Sequence, residues 1–298
     1  LTHEASFYLG TRRPLRRAAG GQEWLDVYLR SFAFQWLGIK AADVRAALPD
    51  PLPRAATPDA FHAVMRLQAE RFGKERWGDK TPFHAGFLSE IFRDFPDARV
   101  IHIVRDPRTT VASLPRMPWA PASRTLNTAY WRITMNRTAR FNDRIHHLRL
   151  EDLLTEPRQT MEKVLEFVGE PWDDRVLDHA THAAREDTPP YPWLTSAFRP
   201  IDTERARTVA ADPAASCDLP PEWVRIIEAQ QGRVMAKWGY EPWALDREPR
   251  RTGRLRANAA DVAKSLTFAR RALPLFAWLS SARAPDAAEA QRRLLALN

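Results

Sequence analysis

Residues 98–104 (ARVIHIV) form a short β-branched run with turn-forming residues on both sides. Pro96 and Asp97 precede the run, and Asp106 and Pro107 follow it. A run of this length and composition predicts a β-strand, and its almost continuous apolar character predicts burial on both faces, as in a parallel sheet. The strand therefore favours an α/β fold with a central, mainly parallel sheet flanked by helices.

An arginine, Arg105, follows the predicted strand at the carboxyl end, where open α/β sheets bind ligands. Asp106 can cap the next helix and Pro107 suits its first position, so a helix is predicted over residues 108–114, with an N-terminus that favours an anion. Ser113 lies about two turns along this helix, where its hydroxyl could donate to a phosphate that Arg105 holds bidentately. The alternative is structural: Arg105 pairs with Asp106 or a neighbouring helix, and Ser113 is an ordinary helix-face serine.

A second cationic position lies in the turn formed by residues 76–82 (RWGDKTP). Lys80 precedes a helical pattern over residues 83–92, so its ammonium would sit beside a partly positive helix terminus. Such a cation is badly placed unless an anion joins it, which suggests a second anion site. The alternative is a surface lysine paired with Asp79.

Apolar residues at helical or alternating spacing predict the remaining elements. Helices are predicted over residues 22–37, 41–48, 58–72, 125–142, 156–167 and 221–237, and a second strand over residues 146–150. His146 and His147 point to opposite faces of that strand and cannot easily bind one metal ion, so we predict no metal site.

The segments WGDKTP, FPDAR and IVRDPR, followed by Ser113, resemble the sulfotransferases that use 3′-phosphoadenylyl sulfate (PAPS). They are most similar to the bacterial branch, which in turn is similar to the tyrosylprotein sulfotransferases. The likeness covers residues 77–240. It includes the stretch 148–169, although Leu150 stands where the family usually has a tyrosine.

The resemblance implies a P-loop-NTPase-like three-layer fold and a sulfonate transfer from PAPS to an acceptor hydroxyl or amine by in-line displacement, without a metal. It implies that Arg105 and Ser113 bind the 3′-phosphate, and that Lys80 neutralises the sulfonate and the leaving phosphate. The acceptor could be a small molecule, a carbohydrate or a peptide. Two alternatives stay open: an inactive nucleotide- or polyanion-binding module, and a P-loop kinase, whose Gly-x-x-x-x-Gly-Lys-Ser/Thr element is absent from this sequence.

Family members begin with a strand and a glycine-rich loop that cradles the 5′-phosphosulfate, and this sequence has no such loop. The chain opens at Leu1 rather than at methionine, so we expect that it is truncated at its amino end. By resemblance Glu4 is the candidate base that takes the acceptor's proton, with His3 in reserve; a frayed terminus is the alternative. Because a single lost oxyanion donor costs roughly 3 kcal/mol of transition-state stabilisation, we expect weak or no turnover from the chain as given.

Residues 186–200 are rich in proline and predict a long loop. Family members close the nucleotide site with a serine or threonine and a basic residue in such a late loop, so Ser196 and Arg199 are the candidates for a lid over the cofactor. The alternative is a solvated connector.

The charge of the chain is concentrated in its last segment. The net charge is +8, and residues 251–298 carry nine Lys/Arg against three Asp/Glu. The preceding part is nearly neutral, so composition does not demand a nucleic-acid partner. We predict an α/β domain over residues 1–245 and a basic helical tail over 246–298, which could lie on an anionic membrane surface, pack on a partner helix or fold back on its domain.

A single cysteine, Cys217, rules out a disulfide within the chain and fits a reducing, cytoplasmic setting. No apolar run approaches the roughly 18 residues of a membrane span.

Overall fold

A computed structural model describes residues 7–8, 18–35, 37–116, 120–178 and 203–243, with residues 261, 263, 266 and 270. The described residues form two compact units, the first ending at Pro96 and the second beginning at Asp97. Each unit is described by itself.

The first unit is helical in its described residues. Its α-helices are α1 (Gly21–Leu29), α2 (Phe32–Gln35), α3 (Ala41–Ala46), α4 (Thr57–Arg71) and α5 (Leu88–Asp94), with 3₁₀ turns at Arg54–Ala56 and Pro82–Gly86. The core is rich in aromatic side chains, because the buried face of α1 meets that of α4. Trp24 and Tyr28 of α1 stack in parallel with ring centroids 5.4 Å apart, and Phe61 of α4 stacks on Phe7 at 4.5 Å.

Two helices predicted in the first unit are interrupted. The pattern over residues 22–37 breaks at Ser31, whose hydroxyl donates to the Tyr28 carbonyl at 2.6 Å and accepts from the Phe34 amide at 3.3 Å. A serine that bonds the backbone in this way competes with helix continuation. The pattern over residues 83–92 becomes a 3₁₀ turn and then α5, with the junction next to Gly86, a poor helix former.

The second unit contains a parallel pair of strands, β1 (Val100–Val104) and β2 (Ile145–Arg149). Val100 lies opposite Ile145, and Val104 lies opposite Arg149. Both strands are predicted from the sequence, and their parallel pairing confirms the α/β class.

The second unit also contains helices that cross over between the strands or follow them. They are α6 (Pro107–Ser113), α7 (Arg124–Thr138), α8 (Leu150–Thr155), α9 (Pro157–Val168), α10 (Thr203–Ala211) and α11 (Pro221–Lys237). Helix α11 packs Trp223, Ile227 and Met235 into a core with Val104 and Trp131. Helix α9 ends at Gly169 with φ of 75°, a left-handed conformation that glycine adopts without strain.

The prediction that β1 is buried on both faces is wrong. Ile101 and Ile103 are 40% and 54% exposed, whereas Val104 is 2% exposed. Helix α9 lies against β2, where Phe167 stacks on His146 at 5.4 Å, and this cover does not extend over the two isoleucines.

The predicted boundary at residue 245 and most of the predicted tail fall outside the described residues, so these predictions are untested. Asp261 is described, and its buried carboxylate accepts from the Ser123 hydroxyl and from the Arg124 and Thr125 amides at 2.7–2.9 Å. It thus satisfies amides at the N-terminus of α7. No helix in the described part of the chain is long and apolar enough to cross a membrane.

Candidate functional site

The loop between β1 and α6 begins as the sequence predicts. Asp106 caps α6, because its Oδ1 accepts from the Arg108 amide at 2.7 Å, and Pro107 occupies the first helical position. The anion at this helix N-terminus is therefore the chain's own carboxylate rather than a ligand.

Arg108 neutralises that carboxylate. Its Nη2 lies 2.6 Å from Oδ2 of Asp106, and its Nη1 lies 2.5 Å from Oε1 of Glu228 on α11. The Trp243 ring covers the guanidinium at 4.0 Å, and Arg108 is 1% exposed. Asp106 therefore pairs with Arg108 and not with Arg105, whereas the other half of the structural alternative, a contact of Arg105 with a neighbouring helix, is present as its hydrogen bond to Thr109 of α6.

Arg105 is half-buried and only partly engaged. Its Nε donates to Oγ1 of Thr109 at 3.0 Å, and its carbonyl accepts from Nε1 of Trp131 at 3.0 Å. Within the described residues its guanidinium makes no other hydrogen bond and no ion pair. Burial lowers the pKa of Arg105, and the charges of Glu151 and Asp106 oppose this effect. In the described part of the chain the Arg105 guanidinium is therefore held through its Nε.

Ser113 is the last residue of α6 and is half-buried. It lies four residues after Thr109, so both hydroxyls fall on one face of the helix, and Thr109 is the side chain that Arg105 contacts. No hydrogen bond of the Ser113 hydroxyl is found in the part of the chain that the structure describes. The helix face that carries Ser113 is therefore the one whose Thr109 contacts Arg105, and the joint role of Arg105 and Ser113 in a phosphate site stays a prediction.

Glu151 links the carboxyl ends of both strands. Its Oε1 accepts from the Asp106 amide at 3.1 Å, and its Oε2 accepts from the Tyr240 hydroxyl at 2.8 Å. The guanidinium of Arg149, the last residue of β2, lies over the Tyr240 ring at 4.7 Å. Neither the burial of Arg108 nor the link through Glu151 is predicted from the sequence. The repeated arginine in Arg-Asp-Pro-Arg is nevertheless a signal that either Arg105 or Arg108 has a structural role.

Lys80 lies in the first unit, in the loop that leads to the Pro82–Gly86 turn, and is exposed. The neighbouring Asp79 carboxylate lies 3.0 Å from Nδ1 of His84. Arg105 and Ser113 lie in the second unit, so the prediction that all three act on one nucleotide stays a prediction.

Four predicted residues fall outside the described residues: Glu4, His3, Ser196 and Arg199. Their predicted roles as base and lid are untested.

The histidines of the sheet pair across the strands. His102 lies in register with His147, and their Nδ1 atoms are 3.0 Å apart. Among the described residues no group of three or more His, Cys, Asp or Glu side chains is placed to hold a metal ion.

Comparison with known proteins assigns the chain to a family. The model of the family described as "Sulfotransferase family" matches residues 16–174, just over half of the chain. The chain therefore belongs to the sulfotransferase family.

Individual relatives are more distant. An uncharacterized protein of Aquifex aeolicus (strain VF5) is 29% identical over 162 residues, which is 49% of this chain. The chain spans about a fifth of that protein's length, since the match covers 21% of it.

Two solved structures are similar to this chain. The sulfotransferase domain from the curacin biosynthetic pathway has a TM-score of 0.52 and 17% identity, and the match covers 80% of this chain and 88% of that one. This likeness shows the fold, and the predicted α/β, P-loop-NTPase-like class is confirmed. Sulfotransferase STF9 from Mycobacterium avium matches 68% of this chain and 56% of its own with 16% identity, and its TM-score of 0.35 is too low to bear on the fold.

Proposed function

We propose that this protein transfers a sulfonate group from PAPS to the hydroxyl or amine of an acceptor by in-line displacement. In this proposal Arg105 and Ser113 bind the 3′-phosphate of the nucleotide, and Lys80 neutralises the sulfonate and the leaving phosphate. Glu4 is the proposed base, and Ser196 and Arg199 are the proposed lid. Membership of the family supports sulfonate transfer in general, and the donor and the residue roles are our inference.

The observation that carries the proposal is the difference between two arginines at the junction of β1 and α6. Arg108 is buried and saturated by carboxylates, whereas the terminal nitrogens of Arg105 have no partner in the described part of the chain. A planar guanidinium with two parallel donors matches the geometry of a phosphate. The third nitrogen, Nε, donates a hydrogen bond to Thr109 and so fixes the plane of the guanidinium. Little side-chain freedom is therefore lost when the anion binds.

The chemistry requires positioning and charge neutralisation more than covalent catalysis. Sulfonate transfer develops negative charge on the oxygen that bridges sulfonate and phosphate. Fixed cations and hydrogen-bond donors stabilise this charge and so lower the activation barrier of the transfer. The 3′-phosphate lies away from the reacting bond, so its contacts with Arg105 and Ser113 supply binding energy and orientation rather than chemistry.

Family membership weighs against the kinase alternative. An inactive nucleotide-binding module would retain the Arg105 site, so a binding experiment alone does not separate it from an enzyme. A transfer assay does, because only the enzyme moves labelled sulfonate from PAPS to an acceptor in a screen of hydroxyl and amine compounds.

The binding test is calorimetric titration with 3′-phosphoadenosine 5′-phosphate. Wild type should bind it, Arg105→Ala should abolish detectable binding, and Ser113→Ala should weaken binding by roughly tenfold, the value of one hydrogen bond to a charged group. The matched control is Arg158→Ala, which removes an exposed arginine of the same unit that pairs with Asp174. Equal affinity of wild type and Arg105→Ala would overturn the proposed site.

A further inference from the structure

Thr109 of α6 is the side chain that holds the Arg105 guanidinium. Its Oγ1 accepts a hydrogen bond from Nε of Arg105 at 3.0 Å, and among the described residues this is the only hydrogen bond of that guanidinium. Thr109 is 5% exposed, so water does not readily take the place of its hydroxyl. The orientation of the Arg105 guanidinium therefore depends on one buried oxygen.

The hydroxyl of Thr109 serves Arg105 as an acceptor in a fixed position. A hydroxyl has one proton to donate, and Thr109 donates it to the Asp106 carbonyl at 3.1 Å, three residues earlier in the chain. Because threonine is stiff at χ1, this donated bond also holds Oγ1 in one place. A fixed oxygen that can only accept is matched to the N–H of the Arg105 Nε and sets its direction.

The start of α6 does not depend on the Thr109 hydroxyl. The Asp106 carbonyl also accepts from Oγ1 of Thr110 at 2.8 Å and from the Thr110 amide at 2.9 Å. A carbonyl oxygen has two lone pairs, so these two bonds satisfy it without Thr109. Of the two threonines, Thr109 is the one that binds Arg105. The contact with Arg105 is therefore what the Thr109 hydroxyl adds to the structure.

We propose that Thr109 is a positioning residue that determines the preference for a 3′-phosphate: its hydroxyl holds Nε of Arg105 and so presents the two terminal nitrogens to the anion in a fixed plane. Thr109 acts through Arg105 and does not itself touch the nucleotide. This inference rests on the proposed function, because it assumes that Arg105 binds the nucleotide.

Loss of the hydroxyl releases the Arg105 side chain. Arg105 is half-buried rather than enclosed, so the released guanidinium has room to leave the binding orientation. Binding of the 3′-phosphate then has to order a long, flexible side chain, and this cost weakens binding by about fivefold. A nucleotide without a 3′-phosphate does not use Arg105, so its affinity does not change.

Three variants at neighbouring positions isolate the hydroxyl. Thr109→Val keeps the branched shape and removes the oxygen, so it should weaken binding of 3′-phosphoadenosine 5′-phosphate by about fivefold. Thr109→Ser keeps the hydroxyl and should bind this nucleotide within about twofold of wild type. Thr110→Val is the matched control, because it removes a hydroxyl that also donates to the Asp106 carbonyl, and its affinity should likewise change less than about twofold.

The experiment is calorimetric titration of the full chain and these variants with 3′-phosphoadenosine 5′-phosphate and with adenosine 5′-monophosphate. The decisive quantity is the ratio of the two dissociation constants. A purely structural role of Thr109 would weaken the binding of both nucleotides together and leave this ratio unchanged. A positioning role lowers the ratio in Thr109→Val by about fivefold and leaves it unchanged in Thr109→Ser and Thr110→Val.

The outcomes separate this inference from the proposed function. An unchanged ratio in Thr109→Val, or an equal loss in Thr109→Ser or Thr110→Val, overturns the role of Thr109 while the dependence on Arg105 stands. If wild type does not bind 3′-phosphoadenosine 5′-phosphate, the proposed function and this inference fail together. If Thr109→Val proves unstable, Thr109→Ala also lacks the hydroxyl, favours the helix and should show the same change in the ratio.

Discussion

The half-buried histidine pair of the sheet makes the stability of the second unit depend on pH. One Nδ1 must donate and the other accept across the 3.0 Å that separates His102 from His147, and an accepting imidazole is neutral. Burial, and then the charge of His147, lower the pKa of His102 from its ordinary 6.5 to about 4. Burial also lowers the pKa of His147.

The direction and the size of the effect follow from these values. Between pH 6.5 and 4 the unfolded chain binds a proton at His102 that the folded chain does not. The contribution of this group to stability is therefore fully present above pH 6.5 and is lost as the pH falls towards 4. At 1.36 kcal/mol for each pKa unit, the loss is about 3 kcal/mol.

The assay is urea unfolding across this pH range for wild type and His102→Gln. Carboxylates titrate in both proteins. The difference between their free energies of unfolding therefore isolates the contribution of His102. Between pH 6.5 and 4 the free energy of unfolding should fall by about 3 kcal/mol more in wild type than in His102→Gln. The control is His62→Gln, which replaces an exposed histidine and should follow wild type. Parallel pH profiles for wild type and His102→Gln would refute the reasoning.

Two further predictions concern buried charges. Arg108→Met should destabilise the protein by about 3–5 kcal/mol in urea unfolding, because the carboxylates of Asp106 and Glu228 lose their cation; a loss below about 1 kcal/mol would contradict this view. Asp261→Asn should cost about 1–2 kcal/mol and speed hydrogen exchange of the Arg124 and Thr125 amides. Although burial opposes its charge, hydrogen bonds from Thr125 and Ser123 lower the pKa of Asp261, so its contribution is present above the ordinary value of 3.8 and is lost as the pH falls through the lowered one. Unchanged exchange in Asp261→Asn would show that the carboxylate does not hold the start of α7.

Elements set by local sequence are predicted well. The strand over residues 100–104 and the Asp-Pro start of α6 depend on side chains within a few positions of one another. Helix α11 runs over residues 221–237, as its apolar stripe predicts. The break at Ser31 is also local, but it depends on a rotamer of one hydroxyl that periodicity does not reveal.

Features set by distant partners are not predicted. The exposure of Ile101 and Ile103 depends on which helices cover the sheet. A β-branched run predicts a strand but does not indicate which of its faces a helix covers. Within Arg-Asp-Pro-Arg, either arginine could neutralise Asp106. The choice is made by Glu228, which lies 120 residues from Arg108 along the chain, and by the Trp243 ring. Only the folded chain therefore shows which of the two arginines neutralises Asp106.

The central claim is that Arg105 recognises the 3′-phosphate of a nucleotide. The most direct measurement compares the dissociation constants of 3′-phosphoadenosine 5′-phosphate and adenosine 5′-monophosphate, which lacks that phosphate, for wild type and Arg105→Ala. Our account predicts that wild type prefers the 3′-phosphorylated nucleotide by about a hundredfold and that the preference disappears in Arg105→Ala, as the loss of a bidentate, charge-assisted contact requires. An equal preference in both proteins would contradict it.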